Sequence, residues 1–226
     1  DPQGMLDRID SRTKIVFVCN PNNPTGTWWN RQTLVDFLEQ VGEDVIVVVD
    51  EAYCEYVQDP DYPDSLELME RFPNLLSFHT FSKMYALAGL RIGYLIGTDE
   101  VVDAVRHTAI AYSVNIQAQQ AALAALSDDR EHIARTREMV GTARVFLSTF
   151  CQSLELETVT GEGNYIMIKV PINDMLMYRK LMKRGMMVRS MTGFRYPGWI
   201  RVTLKEMAVM QAFAEALDGE IRGLRK

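Results

Sequence analysis

Short β-branched runs alternate, along the first half of the chain, with stretches in which apolar residues recur every three or four positions. This alternation is typical of strands joined by helices in a mostly parallel sheet. The predicted strands lie at 14–18, 45–49, 75–78 and 92–96. Since the run 45–49 is apolar at every position, we expect that strand to be covered on both faces. A helix with an apolar face over 34–41 is predicted to be capped by Asn30.

From about residue 117 the pattern changes to longer helical stretches, predicted at 117–126 and 130–150. The elements predicted after them are, in order, a strand at 165–170, a helix at 175–184, strands near 187–190 and at 199–204, and a final helix. The apolar face of that final helix carries Met207, Met210, Phe213, Leu217 and Ile221.

These patterns predict an α/β fold with two domains. Residues 1–128 would form part of a large domain, a mostly parallel sheet with helices on both faces, and 129–226 a small α+β domain. The boundary is predicted near Asp128 and Asp129.

Composition narrows the possible partners. With 226 residues, 47% of them hydrophobic, the chain can bury a core, and its net charge of -6 argues against nucleic acid as a partner. No apolar run approaches the roughly 18 to 20 residues that span a bilayer, so no membrane association is predicted. Neither the cysteines nor the histidines have metal-ligand spacing, which predicts reduced thiols, a cytoplasmic location and no metal site. These residues are Cys19, Cys54, Cys151, His79, His107 and His132.

Two motifs follow predicted strands. The segment 20–26 is rich in Asn, Pro and Gly, which suits a tight turn. Asn23, held between prolines, could instead donate a hydrogen bond to a cofactor oxygen. Asp50 directly follows the all-apolar strand and could cap the next segment, or its carboxylate could pair with a protonated ring nitrogen and make the ring an electron sink. Tyr53 could donate its hydroxyl to the same ring.

The third motif contains Lys83, which follows a predicted strand and lies among small and apolar residues. A single lysine is usually a solvated surface charge. Desolvation and neighbouring positive charge would instead favour a nucleophilic amine able to form an imine. Arg91 offers the planar fork suited to a phosphate, and Thr80 and Ser82 offer hydroxyls to the same anion. A covalent amine site beside an anion site suggests a phosphate-bearing aldehyde cofactor.

Together, in this order, the stretches 19–26, 50–53 and 81–93 resemble those of the fold-type I pyridoxal-phosphate-dependent aminotransferases, and within them the histidinol-phosphate aminotransferase group. The resemblance runs from about residue 4 to the C-terminus. It implies the PLP-transferase large domain followed by a small C-terminal domain, pyridoxal phosphate as cofactor, and a homodimer.

The resemblance also implies roles for single residues. Lys83 would form the Schiff base and then serve as the base and acid of the proton shift. Asp50 would pair with the pyridine nitrogen, and Asn23 and Tyr53 would contact the ring hydroxyl. The residues implied to hold the phosphate are Thr80, Ser82 and Arg91.

Two arginines of the small domain are candidates for binding the substrate. The stretch 199–203 resembles the family segment whose arginine binds the substrate's anionic group, which makes Arg201 the first candidate; a structural salt bridge is the alternative. Arg189 is the second candidate. Asn164 resembles a family position near the substrate, but it could equally cap the following strand.

The predicted reaction moves an amino group between an amino donor such as histidinol phosphate and a 2-oxo acid. Aromatic amino acids as donors, or decarboxylation of a phosphorylated amino acid, are alternatives within the same fold. The family has a preceding segment that supplies the first strands, a phosphate-binding turn and a ring-stacking aromatic, so we expect this chain to be a fragment with an exposed sheet edge and apolar face. A catalytically incomplete fragment that acts only through association is the alternative from another class.

Overall fold

The computed structural model describes residues 1–127 and 130–224 and divides the chain into two compact units. The first unit comprises Asp1–Asn22 and Trp28–Ile133, and the second comprises Asn23–Thr27 and Ala134–Lys226. The boundary predicted at Asp128 and Asp129 lies outside the described residues. The assignment of 1–128 and 129–226 to two domains therefore stays a prediction.

The first unit is built on one four-stranded sheet. Its strands are β1 (Ile15–Cys19), β2 (Ile46–Asp50), β3 (Leu75–Thr80) and β4 (Gly93–Ile96). They are ordered β1-β2-β3-β4; β1 and β3 both pair with β2 in parallel, and β4 pairs with β3 antiparallel. The mostly parallel sheet predicted from the sequence is confirmed.

Five α-helices lie wholly among the described residues of the first unit, and one of them begins after the predicted cap residue Asn30. They are α1 (Pro2–Leu6), α2 (Arg31–Gln40), α3 (Ser65–Met69), α4 (Asp99–Thr108) and α5 (Ile116–Ser127). The Asn30 side chain accepts a hydrogen bond from the N–H of Thr33 at 2.9 Å and so caps α2. The sequence prediction missed α1, α3 and α4. Helix α4 has acidic residues in its first turn and basic ones in its last, which suits the helix dipole, but it buries no residue.

The core of the first unit lies between α2 and one face of the sheet. Leu34 and Phe37 of α2 are buried against Val47 and Val49 of β2. Val48, on the other face of β2, is also buried, as its all-apolar sequence predicts. In β1, by contrast, the side chains of Ile15 and Phe17 on one face of the strand are 51% and 62% exposed. These two residues form the exposed apolar face that the sequence predicts.

The second unit is an α+β structure, as predicted. Most of α6 (Arg130–Ser153) belongs to it, and its further elements are β5 (Thr158–Val159), β6 (Tyr165–Lys169), α7 (Asp174–Lys183), β7 (Arg189–Ser190), β8 (Trp199–Thr203) and α8 (Met207–Leu224). The strands are ordered β5-β6-β8-β7, and every neighbouring pair is antiparallel. The predicted apolar face of α8 is confirmed, since Met210, Phe213, Leu217 and Ile221 are buried.

Within residues 1–127 and 130–224, no helix combines the length and the apolar character needed to cross a membrane.

Candidate active site

The three parallel strands of the first unit end at the same edge of the sheet. Cys19 at the end of β1 pairs with Asp50 at the end of β2, and Asp50 pairs with Phe78 near the end of β3. The chain segments that leave these strands carry the three sequence motifs. Open α/β sheets bind their ligands at this edge, beyond the carboxyl ends of the strands.

Asn20, the first residue of the Asn/Pro-rich motif, closes a turn. It is buried, and its side chain accepts the N–H of Trp29 at 2.7 Å and donates to the Trp29 carbonyl at 3.2 Å. The Tyr62 hydroxyl donates to the Asn20 carbonyl at 2.5 Å. Asn20 therefore has the structural role that the turn interpretation expects.

Asp50, Tyr53 and Lys83 lie on the segments that leave β2 and β3. One Asp50 oxygen accepts the N–H of Ala52 at 3.1 Å, which is the strand-ending cap considered for this residue. Tyr53 is buried, and the Lys83 Nζ lies 5.3 Å from the centre of its ring. The expected desolvation of Lys83 is wrong for this chain, because the residue is exposed. The structure thus brings Tyr53 and Lys83 together, with the amine open to solvent.

The segment from 81 to 92 that carries Lys83 is anchored and partly strained. Phe81 and Met84 are buried on either side of the lysine. Ala86 (φ 56°) and Arg91 (φ 55°) have left-handed backbone conformations, which are uncommon for residues other than glycine. Such conformations cost energy and concentrate at functional sites.

The predicted phosphate-binding residues Thr80, Ser82 and Arg91 flank Lys83 in the same segment. The Thr80 hydroxyl accepts the N–H of Ser82 at 3.1 Å, and Arg91 Nη1 donates to the Ala88 carbonyl at 2.9 Å. The Thr80 hydroxyl can still donate its own proton, and the guanidinium has five N–H donors in all. Arg91 is also exposed, so these donors remain open to an anion.

These side chains fit a phosphate-bearing aldehyde with a pyridine ring. Lys83 offers an exposed primary amine, and the hydroxyl and guanidinium groups offer donors to the phosphate. A carboxylate has two oxygens, so Asp50 has a second one besides that bound to Ala52 with which to accept from a protonated ring nitrogen.

In the second unit, two predicted site residues contact each other. The Arg201 guanidinium donates a hydrogen bond through Nη1 to the side-chain oxygen of Asn23. The same guanidinium lies 5.1 Å from the centre of the Tyr165 ring. Because the Asn23 oxygen binds Arg201, the amide nitrogen is the part of Asn23 that can donate to a cofactor oxygen, as the sequence predicts.

The second substrate candidate, Arg189, lies directly opposite Arg201 across strands β7 and β8. Directly opposed residues of an antiparallel pair share a face of the sheet, and like charges in such positions repel. Arg189 is exposed, with its guanidinium 5.6 Å from the centre of the Phe194 ring. An anion bound to both guanidinium groups would relieve the repulsion. Asn164, the other candidate, uses its backbone carbonyl to accept the N–H of Leu204 at 2.8 Å.

Two glycines hold the segment Asn23–Thr27 against the loop before β6. Gly26 has φ +73°, and its carbonyl accepts the N–H of Glu162 at 2.7 Å. A Cβ on Gly161 would lie 2.4 Å from the Gly26 carbonyl carbon and oxygen. The close approach that places Asn23 beside Arg201 therefore requires glycine at 161.

The Gly161→Ala variant is expected to be less stable than the wild type by about 1–3 kcal/mol, the usual cost of overpacking. The free energy of unfolding from urea denaturation measures the change. The matched control is Gly141→Ala in α6, where a Cβ meets nothing within 4 Å. Since alanine favours a helix by about 1 kcal/mol over glycine, the control should be stabilised. Equal stability of Gly161→Ala and the wild type would contradict the tight contact.

Sequence reasoning missed a buried polar network beside the predicted cofactor residues. Glu51 is 3% exposed and accepts a hydrogen bond from the Ser77 hydroxyl, and its Oε1 lies 3.2 Å from the Tyr62 hydroxyl oxygen. The Ser77 oxygen lies 2.7 Å from His79 Nε2, and His79 Nδ1 lies 3.7 Å from Cys54 Sγ. His79 and Cys54 thus lie close together in the fold, although the sequence shows no metal-ligand spacing between cysteines and histidines. The signal was the pair of polar residues Ser77 and His79, which alternate with Leu76 and Phe78 in β3.

Burial shifts the acidities in this network. It raises the pKa of Glu51 and of the Cys54 thiol, and the negative charge of Glu55 adds to the shift at Cys54. Burial lowers the pKa of His79, although the charge of Asp50 opposes this shift. Burial also raises the pKa of Tyr94, whose ring stacks on His79, to about 12. The histidine and the thiol are thus both favoured in their neutral forms.

Comparison with known proteins agrees with this fold. The family model for aminotransferase class I and II matches residues 1–217, and the chain belongs to this family. Over 217 residues the chain is 38% identical to the histidinol-phosphate aminotransferase of Caldicellulosiruptor saccharolyticus, an alignment covering 96% of this chain and 60% of that protein. The chain thus spans about three fifths of the length of that relative.

Two solved structures are similar over nearly the whole chain. The histidinol-phosphate aminotransferase from Sinorhizobium meliloti, in complex with pyridoxal-5'-phosphate, matches with a TM-score of 0.87 and 28% identity, covering 99% of this chain and 62% of its own. The histidinol-phosphate aminotransferase from Clostridium acetobutylicum matches with a TM-score of 0.90 at 21% identity, covering 99% of this chain and 68% of its own, which shows a shared fold. The predicted PLP-transferase fold is confirmed.

Proposed function

We propose that this chain carries cofactor-binding and substrate-binding residues of a pyridoxal-phosphate-dependent aminotransferase. The enzyme would move an amino group between an amino donor such as histidinol phosphate and a 2-oxo acid. The observation that carries the proposal is the exposed amine of Lys83, which lies over the Tyr53 ring directly beyond β3. Membership of the aminotransferase family and the cofactor bound by the Sinorhizobium protein support it.

The residues of the first unit would then have separate tasks. When bound, pyridoxal phosphate supplies the electron sink for bond cleavage at the amino-bearing carbon. Lys83 would hold the cofactor covalently and would move a proton at that carbon. Asp50 would keep the ring nitrogen protonated, and Tyr53 would donate to the ring hydroxyl. The residues that would anchor the phosphate are Thr80, Ser82 and Arg91.

The second unit favours anionic substrates. Arg189 and Arg201 are paired across β7 and β8 on one face of the sheet, where an anion would relieve their repulsion. Both the phosphate of histidinol phosphate and the carboxylate of a 2-oxo acid have the required charge. The names of the relatives favour histidinol phosphate over an aromatic amino acid and over decarboxylation. The role of Asn23 at the ring hydroxyl stays a prediction.

Borohydride reduction after incubation with pyridoxal phosphate tests the proposal. We expect peptide mapping to find the label on Lys83. Lys14, another exposed lysine of the first unit, is the matched control, so Lys14→Ala should label as the wild type does and Lys83→Ala should not. A folded sample with no label on Lys83 would contradict the proposal and favour a fragment that acts only through association.

A donor screen on the whole protein tests the substrate separately. We expect kcat/KM to be higher for histidinol phosphate than for the aromatic amino acids. The opposite ranking, in a protein that labels on Lys83, would overturn the substrate while leaving the reaction class intact.

For the whole protein we also propose a homodimer and a cytoplasmic location. The dimer follows from the family resemblance, and analytical ultracentrifugation measures it. The location is supported by Cys19, Cys54 and Cys151, which form no disulfide and therefore suit a reducing compartment.

A further inference from the structure

We infer that Cys54, Glu55 and His79 form a binding site for a Zn²⁺ ion in the first unit. The thiol sulfur, a carboxylate oxygen and a ring nitrogen of these residues all lie within 4.8 Å of one another. Thiolate, carboxylate and imidazole are the ligand types that zinc takes in proteins. The inference is independent of the proposed enzymatic function.

The fold brings these distant residues together. Strands β2 and β3 pair in parallel, with Asp50 opposite Phe78, so the residue after Phe78 lies beside the chain that leaves β2. That chain turns at once into a short 3₁₀ helix, Cys54–Tyr56, which presents two of the three ligands. His79 presents the third ligand from β3.

The separation of the two strongest ligands suits a single zinc ion. Zinc bonds of about 2.3 Å to sulfur and about 2.0–2.1 Å to nitrogen, at a tetrahedral angle, place the two ligand atoms about 3.6 Å apart. Cys54 Sγ and His79 Nδ1 are 3.7 Å apart. An ion can therefore bind between them with little movement of either side chain.

The contacts behind His79 orient it as a ligand. The Ser77 hydroxyl donates its proton to Glu51, so its oxygen accepts the Nε2–H of His79, 2.7 Å away. With the ring proton on Nε2, Nδ1 keeps its lone pair and faces Cys54. The ring is also stacked on Tyr94, with centroids 4.8 Å apart and planes 13° apart. A carboxylate-linked partner on the second nitrogen is the usual support of a metal-binding histidine.

The charges of the ligands also match a divalent ion. A cysteine binds zinc as the thiolate, so the Cys54 thiol has to lose its proton to become a ligand. Binding of Zn²⁺ would release this proton to the solvent and form the zinc–sulfur bond. One thiolate and one carboxylate then balance the two charges of the ion. With three protein ligands, the fourth position of a tetrahedral ion stays open to a small molecule.

Cobalt(II) is the spectroscopic probe for the test, because it binds zinc sites and shows a charge-transfer absorption band when a thiolate is a ligand. We expect the wild type to develop this band and to lose it when Zn²⁺ is added. Cys54→Ser should abolish the band, whereas Cys19→Ser should keep it. Ser77→Ala, which removes the support of His79, should weaken cobalt binding about 10–100-fold. His107→Gln, at a histidine outside the cluster, should bind as the wild type does.

A second measurement uses only the wild-type protein. Zn²⁺ should protect Cys54 from slow alkylation, as read by peptide mass spectrometry, and should leave the alkylation of Cys19 unchanged. Two results would overturn the inference: no thiolate band in the wild type, or equal alkylation of Cys54 with and without Zn²⁺. Metal binding that Cys54→Ser leaves unchanged would place the ion elsewhere and would equally overturn it.

Discussion

Replacing Lys83 by alanine is expected to lower the rate of amino transfer at least about a thousandfold. One side chain would both hold the cofactor covalently and move the proton, and acid–base residues alone typically contribute about 10²–10⁴-fold. Lys83→Arg should be equally inactive, because a guanidinium keeps the positive charge but is neither a nucleophile nor a base near neutral pH. The measurement is kcat for amino transfer in the whole protein, saturated with pyridoxal phosphate.

Comparing Lys83→Ala, Lys83→Arg and Lys14→Ala separates the chemical role of the Lys83 amine from the effect of its charge and from any effect on folding. Lys83 is exposed, so its replacement should leave the free energy of unfolding unchanged, and circular dichroism can verify this. Lys14→Ala removes an exposed lysine of the same unit and should keep full activity. A Lys83→Arg variant with near wild-type kcat would show that the residue acts through its charge alone, and the assigned role would be wrong.

The Asp174→Asn variant is expected to lose about 3 kcal/mol of stability at neutral pH, since hydrogen bonds to a charged group are worth about 1.5–3 kcal/mol each and are not additive. Asp174 is fully buried in the second unit. It accepts hydrogen bonds from the Ser190 hydroxyl at 2.5 Å, from the hydroxyl and N–H of Thr192 at 2.7 and 2.9 Å, and from the Gly198 N–H at 3.1 Å. In asparagine an NH₂ group replaces one of the two accepting oxygens. This group donates hydrogen bonds, so it would face another donor.

The loss of stability in Asp174→Asn should also depend on pH. Burial by itself would raise the pKa of Asp174, but the hydrogen bonds from Ser190, Thr192 and Gly198 together hold it well below its usual value. A carboxyl with a lowered pKa in the folded state stabilises the protein above its unfolded pKa of about 3.9 and loses this contribution as the pH falls further. The stability difference between wild type and Asp174→Asn should therefore be full at pH 7 and shrink below about pH 4.

Urea denaturation between pH 7 and about pH 4 and below measures both the stability loss of Asp174→Asn and its dependence on pH. The control is Glu157→Gln, which removes a carboxylate that pairs with Lys169 on the surface of the same unit. Exposed pairs of this kind contribute about 0–1 kcal/mol. A difference between wild type and Asp174→Asn that is small at pH 7, or that grows on acidification, would contradict the role given to Asp174.

Local patterns in the sequence predicted most of the fold. The apolar run 45–49 predicted a strand buried on both faces, and Asn30 predicted the start of α2, because both signals depend on neighbouring residues alone. Helix α4 was missed although its end charges suit a helix and Val101, Val102 and Val105 give it an apolar face. The sequence therefore carried a signal for this helix, although none of its residues is buried.

The candidate site was predictable only in part. The order of the motifs around Asp50 and Lys83 identified candidate residues, but their environment depends on packing, and Lys83 proved to be exposed. The contact of Asn23 with Arg201 joins residues 178 positions apart, and the approach of Cys54 to His79 depends on the register of β2 and β3. Tertiary pairing of this kind leaves no periodic signal in a single sequence.

Because Asn23–Thr27 belongs to the second unit, one part of that unit is synthesised before the first unit is complete. The ribosome releases this segment before Arg201, which binds Asn23 and follows 178 positions later. A nascent chain that has completed β1 to β4 therefore holds a piece of the second unit that still lacks its partners. For the same reason, a protein begun at Ala134 would lack five residues of its own fold, and supplying 23–27 as a separate peptide should restore part of its stability.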